Sequence, residues 1–140
     1  MTDLRVATLN LLNFAAPPLA CYEWDNIYTE AQWQQKTNWL KNLLQQQQPD
    51  VLALQEVFSV DALQQLLSPL GYHWFATVET PVLVDDHVFT KPVVAIASRY
   101  PILSTETVPA SPAALQQLGL ASFQFSRSPL LVQIQTPQFG

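Results

Sequence analysis

The segment PDVLALQEV, residues 49–57, decides how the chain folds, because it contains in order a proline that ends a helix, an apolar strand and two polar residues at the end of that strand. Pro49 ends any helix that precedes it. The run from Val51 to Leu54 is short and apolar, which is typical of a strand covered on both faces. Gln55 and Glu56 follow at the carboxyl end of this strand. The segment therefore predicts a strand that delivers a carboxylate to one edge of a sheet.

The residues on either side of this segment predict an α/β opening. Leu4 to Leu12 is a second apolar run without clean alternation, which indicates another covered strand. Thr29–Gln32 matches a capping box, and apolar residues at helical spacing extend the helix to about Gln48. Ser59 is positioned to cap a second helix that ends near Gly71. We therefore expect strand, helix, strand, helix in that order.

After Gly71 the pattern changes to short strands separated by turn residues. The predicted strands are Tyr72–Val78, Val93–Ser98, Ile102–Val108, Ser122–Phe125 and Leu130–Gln135. Ser111 and Pro112 suit the start of one short helix that ends at Gly119. These helices are too few to cover both faces of a sheet. The fold class is therefore α/β (α+β), with a mixed, mostly antiparallel sheet and helices on one face.

Composition limits the functions that this chain can have. Its 140 residues suffice for a single domain or part of one, and a net charge of −5 is opposite to the broad positive field of non-specific nucleic-acid binders. The single cysteine, Cys21, cannot form an intramolecular disulfide. The sequence also shows no signal peptide and no apolar stretch near the ~18–20 residues that span a bilayer. We expect a cytoplasmic protein without a membrane span.

The strongest candidate site combines Asn10 and Glu56. Both occur near the carboxyl ends of apolar strands that a helix connects, so a right-handed crossover brings these ends side by side. Open α/β sheets bind ligands at this edge. A carboxylate beside an amide suits Mg²⁺, which often takes one or two carboxylates, waters and substrate oxygens. The alternative is that Glu56 only pairs at the strand end and Asn10 only makes a turn.

Four segments resemble, in order and spacing, the first half of the endonuclease/exonuclease/phosphatase superfamily. They are LRVATLNLLNF (4–14), PDVLALQEV (49–57), VVAIASRYPI (93–102) and FSRSPL (125–130). The loop 15–28 looks like that of a bacterial branch of the superfamily. Its members are Mg²⁺-dependent phosphodiesterases and phosphomonoesterases with the fold of pancreatic deoxyribonuclease. The resemblance implies that residues 1–140 are the N-terminal portion of such a domain, one half of a four-layer α/β/β/α sandwich truncated before its second half.

The resemblance also implies roles for individual residues. Glu56 would be the acidic ligand of Mg²⁺ or Mn²⁺, Asn10 the amide beside the metal and the scissile phosphate, and Gln55 a support for Glu56. The family completes its site with an Asp-x-Asn and a Ser-Asp-His segment, and this sequence contains neither. Some members carry an Asp where this chain has Leu12. We therefore expect the 140 residues alone to be inactive or nearly so.

Other polar residues have two interpretations each. Arg99 and Arg127 lie at predicted strand ends, where they contact a substrate phosphate or anchor a turn. Asp85–His87 imitates the Ser-Asp-His segment in the wrong chain order, and a polar hairpin or loop is the favoured interpretation. His73 is interpreted as a packing or edge residue, and Cys21 as inert. Four aromatic residues either form a stacking platform or pin the long loop to the surface: Tyr22, Trp24, Tyr28 and Trp33.

The sequence is consistent with two hypotheses from different functional classes, an enzyme and an interaction module. The first is a Mg²⁺-dependent phosphoester hydrolase of unknown substrate, with this chain as its N-terminal half. The second is a non-catalytic half-domain that associates with itself or a partner through an exposed apolar sheet face. For that hypothesis we expect a homodimer or higher oligomer, with strands of the Tyr72–Gln135 region at the contact.

Overall fold

The architecture combines one four-stranded sheet, two small sheets and two core helices. The computed structural model describes residues 3–108, 111–119 and 127–137. In chain order the elements are β1 Val6–Phe14, β2 Ala20–Cys21, α1 Glu30–Gln47, β3 Val51–Val57, α2 Val60–Leu67, a 3₁₀ turn Ser68–Leu70, β4 Trp74–Ala76, β5 Val82–Val84, β6 Val88–Lys91, β7 Val93–Ser98, β8 Ile102–Thr107, α3 Pro112–Gln117 and β9 Leu130–Ile134. The predicted strand Ser122–Phe125 lies outside the described residues.

The main sheet has the strand order β1-β3-β7-β4. β1 and β3 are parallel, whereas β7 is antiparallel to both β3 and β4. The α1 crossover supplies the long connection that a parallel pair requires. The predicted class, a mixed and mostly antiparallel sheet in an α/β fold, is confirmed.

Both core helices pack on the same face of the main sheet. One buried cluster contains leucines of α1 and α2 together with inward residues of β3 and β7, namely Leu40, Leu44, Leu63, Leu67, Leu52, Leu54, Ala95 and Ala97. Burying these side chains supplies the main favourable free energy of folding. In the described part of the chain, every helix is too short or too polar to cross a bilayer.

The N-terminus of α1 has the side-chain cap that the sequence predicts, whereas the N-terminus of α2 does not. At α1 the Thr29 hydroxyl accepts the Gln32 backbone N–H, and the Gln32 side chain accepts the Thr29 N–H, so the predicted capping box is present. At α2 the residue Ser59 is the N-cap, but its hydroxyl makes no cap bond. Instead it accepts the Ala16 N–H at 2.8 Å. Ser59 therefore fixes the loop after β1 rather than the helix.

Two small sheets extend the structure, and one of them differs from the sequence prediction. β2, β6 and β5 form a three-stranded sheet, and β8 pairs with β9. β5 and β6 were not predicted, and the strand predicted at Tyr72–Val78 is limited to Trp74–Ala76. Asp85 and Asp86 both have left-handed backbone, with φ of 53° and 54°, between β5 and β6. They therefore form a tight hairpin turn, which agrees with the interpretation of Asp85–His87 as a polar hairpin.

Candidate active site

The carboxyl ends of β1 and β3 bring Asn10 and Glu56 to one edge of the main sheet. In the parallel register Asn10 lies opposite Gln55, and Glu56 follows directly. Asn10 is exposed and Glu56 is half-buried, so solvent and ligands reach both side chains. The juxtaposition that the crossover rule predicted is therefore present in the structure.

Both strands depart from regular geometry at this point. Pairing stops at Asn10 and resumes between Phe14 and Val57, so β1 uses three residues where β3 uses one. Leu12, Asn13 and Glu56 have φ of 51°, 61° and 60°. Left-handed backbone at a residue other than glycine costs about 1 kcal/mol or more. We call residues 11–13 the β1 bulge, and its conformation requires compensation by its contacts.

Hydrogen bonds tie the bulge to both candidate residues. The Asn13 backbone N–H donates to Glu56 Oε2 at 3.0 Å. The Leu12 backbone N–H donates to Asn10 Oδ1 at 2.9 Å. One carboxylate oxygen and the amide oxygen are therefore held by successive N–H groups of the same turn.

Gln55 has different partners from those expected. Its Nε2 donates to Thr8 Oγ1 at 2.9 Å and to the Ala53 carbonyl at 3.2 Å. The side chain thus links β1 to β3 on the sheet face opposite the helices. Any support that it gives Glu56 acts through strand pairing, since the direct partner of the carboxylate is Asn13.

A cavity of about 650 Å³ adjoins the bulge, between the loop 22–28 and α1. Asn10 lies on its wall together with Tyr28 and Lys36. Tyr28 OH and Lys36 Nζ both donate to the Leu12 carbonyl, at 2.8 and 3.2 Å. Sequence reasoning assigned no role to Lys36. Its spacing could have indicated a role, because a lysine three residues after Trp33 lies on the inward face of α1.

The Glu56 carboxylate affects the pKa values of three neighbouring groups, on Lys36, Tyr28 and Cys21. Burial lowers the pKa of Lys36, and the Glu56 carboxylate opposes that shift. Burial is also the main cause that raises the pKa of the Tyr28 hydroxyl and of the Cys21 thiol, with a further increase from Glu56. A buried thiol with a raised pKa is a poor nucleophile, which agrees with the expected inertness of Cys21.

The donor chemistry fits a hard cation with few protein ligands. A carboxylate and an amide stand together, and Mg²⁺ commonly completes such a set with waters and substrate oxygens. Both are hard oxygen donors, the ligand type that Mg²⁺ and Mn²⁺ prefer.

Arg99 does not join this site. It follows β7 at the amino end of β3, where its backbone N–H donates to the Asp50 carbonyl at 2.9 Å. Its guanidinium lies over the ring of Tyr72, 4.7 Å from the centroid, and Nε donates to the Pro49 carbonyl at 3.2 Å. Six residues of strand separate this end from Glu56, about 20 Å. The turn-anchoring interpretation of Arg99 therefore agrees with the structure, and a phosphate contact at Glu56 does not.

Arg127 lies closer to the candidate edge. It occupies the bend before β9, and the neighbouring Ser128 hydroxyl donates to Glu79. Glu79 follows β4, which is antiparallel to β7, so this residue lies at the same sheet edge as Glu56. Arg127 is therefore compatible with a site at this edge.

Tyr22, Tyr28 and Trp33 pin the loop after β1, whereas the Trp24 side chain lies on the surface. Trp33 packs between Phe14 and Tyr28, with ring centroids 4.7 and 5.8 Å away. Tyr22 makes an edge contact with Phe58 at 5.5 Å. Trp24 is 73% exposed, and its carbonyl lies 3.0 Å from His87 Nε2. His73 is an exposed residue beside Trp74, next to β4.

Comparisons with known proteins assign the chain to a family. The model of the Endonuclease/Exonuclease/phosphatase family matches residues 7–133. The crystal structure of an endonuclease/exonuclease/phosphatase from Beutenbergia cavernae DSM 12333 is similar, with a TM-score of 0.59 and 23% identity. The alignment covers 100% of this chain but 36% of that one, and at this identity the likeness shows the fold alone. No curated protein matches the chain. Because the matched residues include Asn10, Glu56 and nearly all the strands, the chain belongs to the endonuclease/exonuclease/phosphatase family.

Proposed function

We propose that this protein is a metal-dependent phosphoester hydrolase in which Glu56 holds Mg²⁺ or Mn²⁺ and Asn10 contacts the phosphate. Family membership supports the reaction class. The observation that carries the assignment is the pair of strand ends, where the β1 bulge holds one oxygen of Glu56 and the amide oxygen of Asn10. Such preorganisation is typical of sites that stabilise developing charge.

The contacts of Glu56 and Asn10 give each side chain a different role in this proposal. Asn13 donates to Glu56 Oε2, so the other carboxylate oxygen would bind the cation. Leu12 donates to Asn10 Oδ1, so the Asn10 NH₂ group would be the donor to a phosphate oxygen. A lone pair of Oδ1 remains for the metal. When bound, the cation supplies positive charge to the phosphoryl group as negative charge develops there.

The 140 residues alone are expected to turn over little or no substrate. The sequence contains no Asp-x-Asn and no Ser-Asp-His, the segments that orient the water and work with the histidine in this family. The chain also spans about a third of the related structure, 36% of its length. Assay with bis(p-nitrophenyl) phosphate and millimolar Mg²⁺ or Mn²⁺ tests this expectation. Robust turnover by the purified chain would contradict it.

A binding experiment tests whether metal and phosphate share this site. Mn²⁺ held near a phosphodiester broadens its ³¹P NMR signal, so we expect substoichiometric protein with Mn²⁺ to broaden the signal of dimethyl phosphate beyond the effect of free Mn²⁺. Glu56→Gln should abolish the extra broadening by losing the metal. Asn10→Ala should reduce the extra broadening more than it weakens Mn²⁺ binding, because Glu56 remains as the charged ligand of the metal. Equal broadening by wild type and both variants would refute the proposal.

A second candidate function is self-association as a half-domain. The observation that favours it is β5, an edge strand of the three-stranded sheet in which Val82, Leu83 and Val84 are 45%, 38% and 43% exposed. An exposed apolar edge strand is a template for pairing with another chain. Self-association does not depend on which substrate the protein hydrolyses, so this function is compatible with phosphoester hydrolysis.

A further inference from the structure

We infer that Tyr28 and Lys36 are positioning residues that hold the Glu56 carboxylate through a single peptide group. The peptide between Leu12 and Asn13 accepts hydrogen bonds from Tyr28 and Lys36 at its carbonyl, and its N–H donates to Glu56. The inference rests on the proposed function of Glu56 as the metal ligand. It adds two residues to that site, Tyr28 just before α1 and Lys36 within it.

The strain of the bulge indicates that these contacts are needed. Leu12 and Asn13 both have left-handed backbone, which a leucine rarely adopts. The Leu12 side chain is 67% exposed, so its own packing does little to offset the cost. The hydrogen bonds at the two ends of this peptide offset part of the cost, together with the Leu12 N–H bond to Asn10 and the Ala15 N–H bond to the Asn13 carbonyl. Without the donors at the carbonyl, the turn would relax toward ordinary strand geometry and move the Asn13 N–H.

The charges at the two ends of the peptide reinforce each other. A peptide group is planar and rigid, with its C=O and N–H dipoles aligned. An ammonium group at the oxygen and a carboxylate at the N–H polarise it in the same direction, and hydrogen bonds chained in this way strengthen one another. Lys36 and Tyr28 are both partly buried, although their bonds to the Leu12 carbonyl are open to solvent. The carboxylate of Glu56 thereby gains a charge-assisted donor in a fixed direction.

The two donors are themselves fixed by α1. Tyr28 directly precedes Thr29, the N-cap of the helix, and the capping box determines where the helix begins. Lys36 lies in the helix with Nζ 5.4 Å from the Tyr28 ring centroid. Trp33 packs against the same ring. The position of Glu56 is thus coupled to the start of α1, which explains how the β1 bulge holds a carboxylate of the neighbouring strand in one orientation.

Charge-neutral and matched variants test this inference. Tyr28→Phe removes one hydroxyl, and Lys36→Met removes the ammonium group at similar length. Tyr22→Phe in the same loop and Lys41→Met on the exposed side of α1 are the controls. Without metal, we expect amide hydrogen exchange of Asn13, measured by NMR, to accelerate about fivefold to tenfold in each test variant, since one hydrogen bond is worth about 1 kcal/mol. Lys36→Arg keeps a cationic donor and should retain most of the protection.

Mn²⁺ affinity separates this inference from the proposed function. Partners that orient a metal ligand typically contribute about tenfold or more to affinity, so Tyr28→Phe should weaken Mn²⁺ binding by roughly that factor while the controls do not. If Glu56→Gln loses Mn²⁺ but Tyr28→Phe binds like wild type, the inference is wrong and the proposed function stands. If wild type and Glu56→Gln bind Mn²⁺ equally, the proposed function is wrong. Unchanged Asn13 exchange in both test variants would overturn the inference whatever the metal does.

Discussion

Glu79, in the loop after β4, is a carboxylate held by two side chains from other segments. It accepts a hydrogen bond from the Ser128 hydroxyl and pairs with Lys91 Nζ at 3.4 Å. In the described part of the molecule its Oε2 is buried without a hydrogen-bond partner. The Ser128 bond is the main cause that lowers the pKa of Glu79, and Lys91 adds to the effect. The residue therefore links three segments: the loop after β4, the strand β6 and the bend before β9.

This arrangement gives Glu79 a pH-dependent contribution to stability. Because the folded-state pKa is lowered from 4.5, the contribution is present above that value and is lost as the pH falls through the folded pKa. Glu79→Gln should reduce the free energy of unfolding at pH 7 by about 1 kcal/mol. The difference from wild type should shrink below pH 4.5, measured by urea denaturation across pH. Glu106→Gln, at an exposed residue of β8, is the control, and a difference independent of pH would contradict the account.

Among the elements, α1 shows how far sequence reasoning reaches. The Thr29 and Gln32 capping box, the inward leucines and the stop at Pro49 are local signals, and the observed helix runs from Glu30 to Gln47 as expected. Val93–Ser98 was also predicted with its observed limits. Such features are predictable because residues a few positions apart determine them.

Long-range features were harder to predict. β5 and β6 are short, and pairing with each other and with the distant β2 makes them strands, although two aspartates between apolar runs were a hairpin signal. The β1 bulge contains no glycine, so nothing local indicates two left-handed residues at Leu12 and Asn13. Their partners Tyr28, Lys36 and Glu56 come from other elements. The location of Asn10 and Glu56 at the same sheet edge was predictable from topology, whereas the hydrogen bonds that orient them required the structure.

The α1 capping box should contribute measurably to stability. Thr29→Ala removes the hydroxyl that accepts the Gln32 N–H, and a lost N-cap costs about 1 kcal/mol. Because α1 contributes Leu40 and Leu44 to the core, we expect this loss in the global free energy of unfolding. Ser111→Ala removes the equivalent cap of α3, whose residues are not buried, and should change global stability by much less. Urea denaturation of both variants checks this, and equal losses would contradict it.

At the scale of the whole molecule, the exposed edge of β5 predicts self-association. Its three apolar residues are exposed on both faces of the strand. We expect light scattering to give a mass above 15.7 kDa at micromolar concentration. Leu83→Lys should shift the mass toward a single chain, because a lysine on an edge strand opposes pairing. Thr90→Lys on β6 is the control, and a wild-type mass of one chain would exclude this association.

The metal site is the central claim about the molecule, and one titration tests it most directly. Isothermal titration calorimetry with Mn²⁺, at neutral pH, compares wild type with Glu56→Gln, and Glu106→Gln serves as the control carboxylate. We predict one weak site, with a dissociation constant of roughly millimolar because the protein supplies few ligands. The site should be lost in Glu56→Gln and retained in Glu106→Gln. Equal Mn²⁺ affinity in wild type and Glu56→Gln would contradict the account.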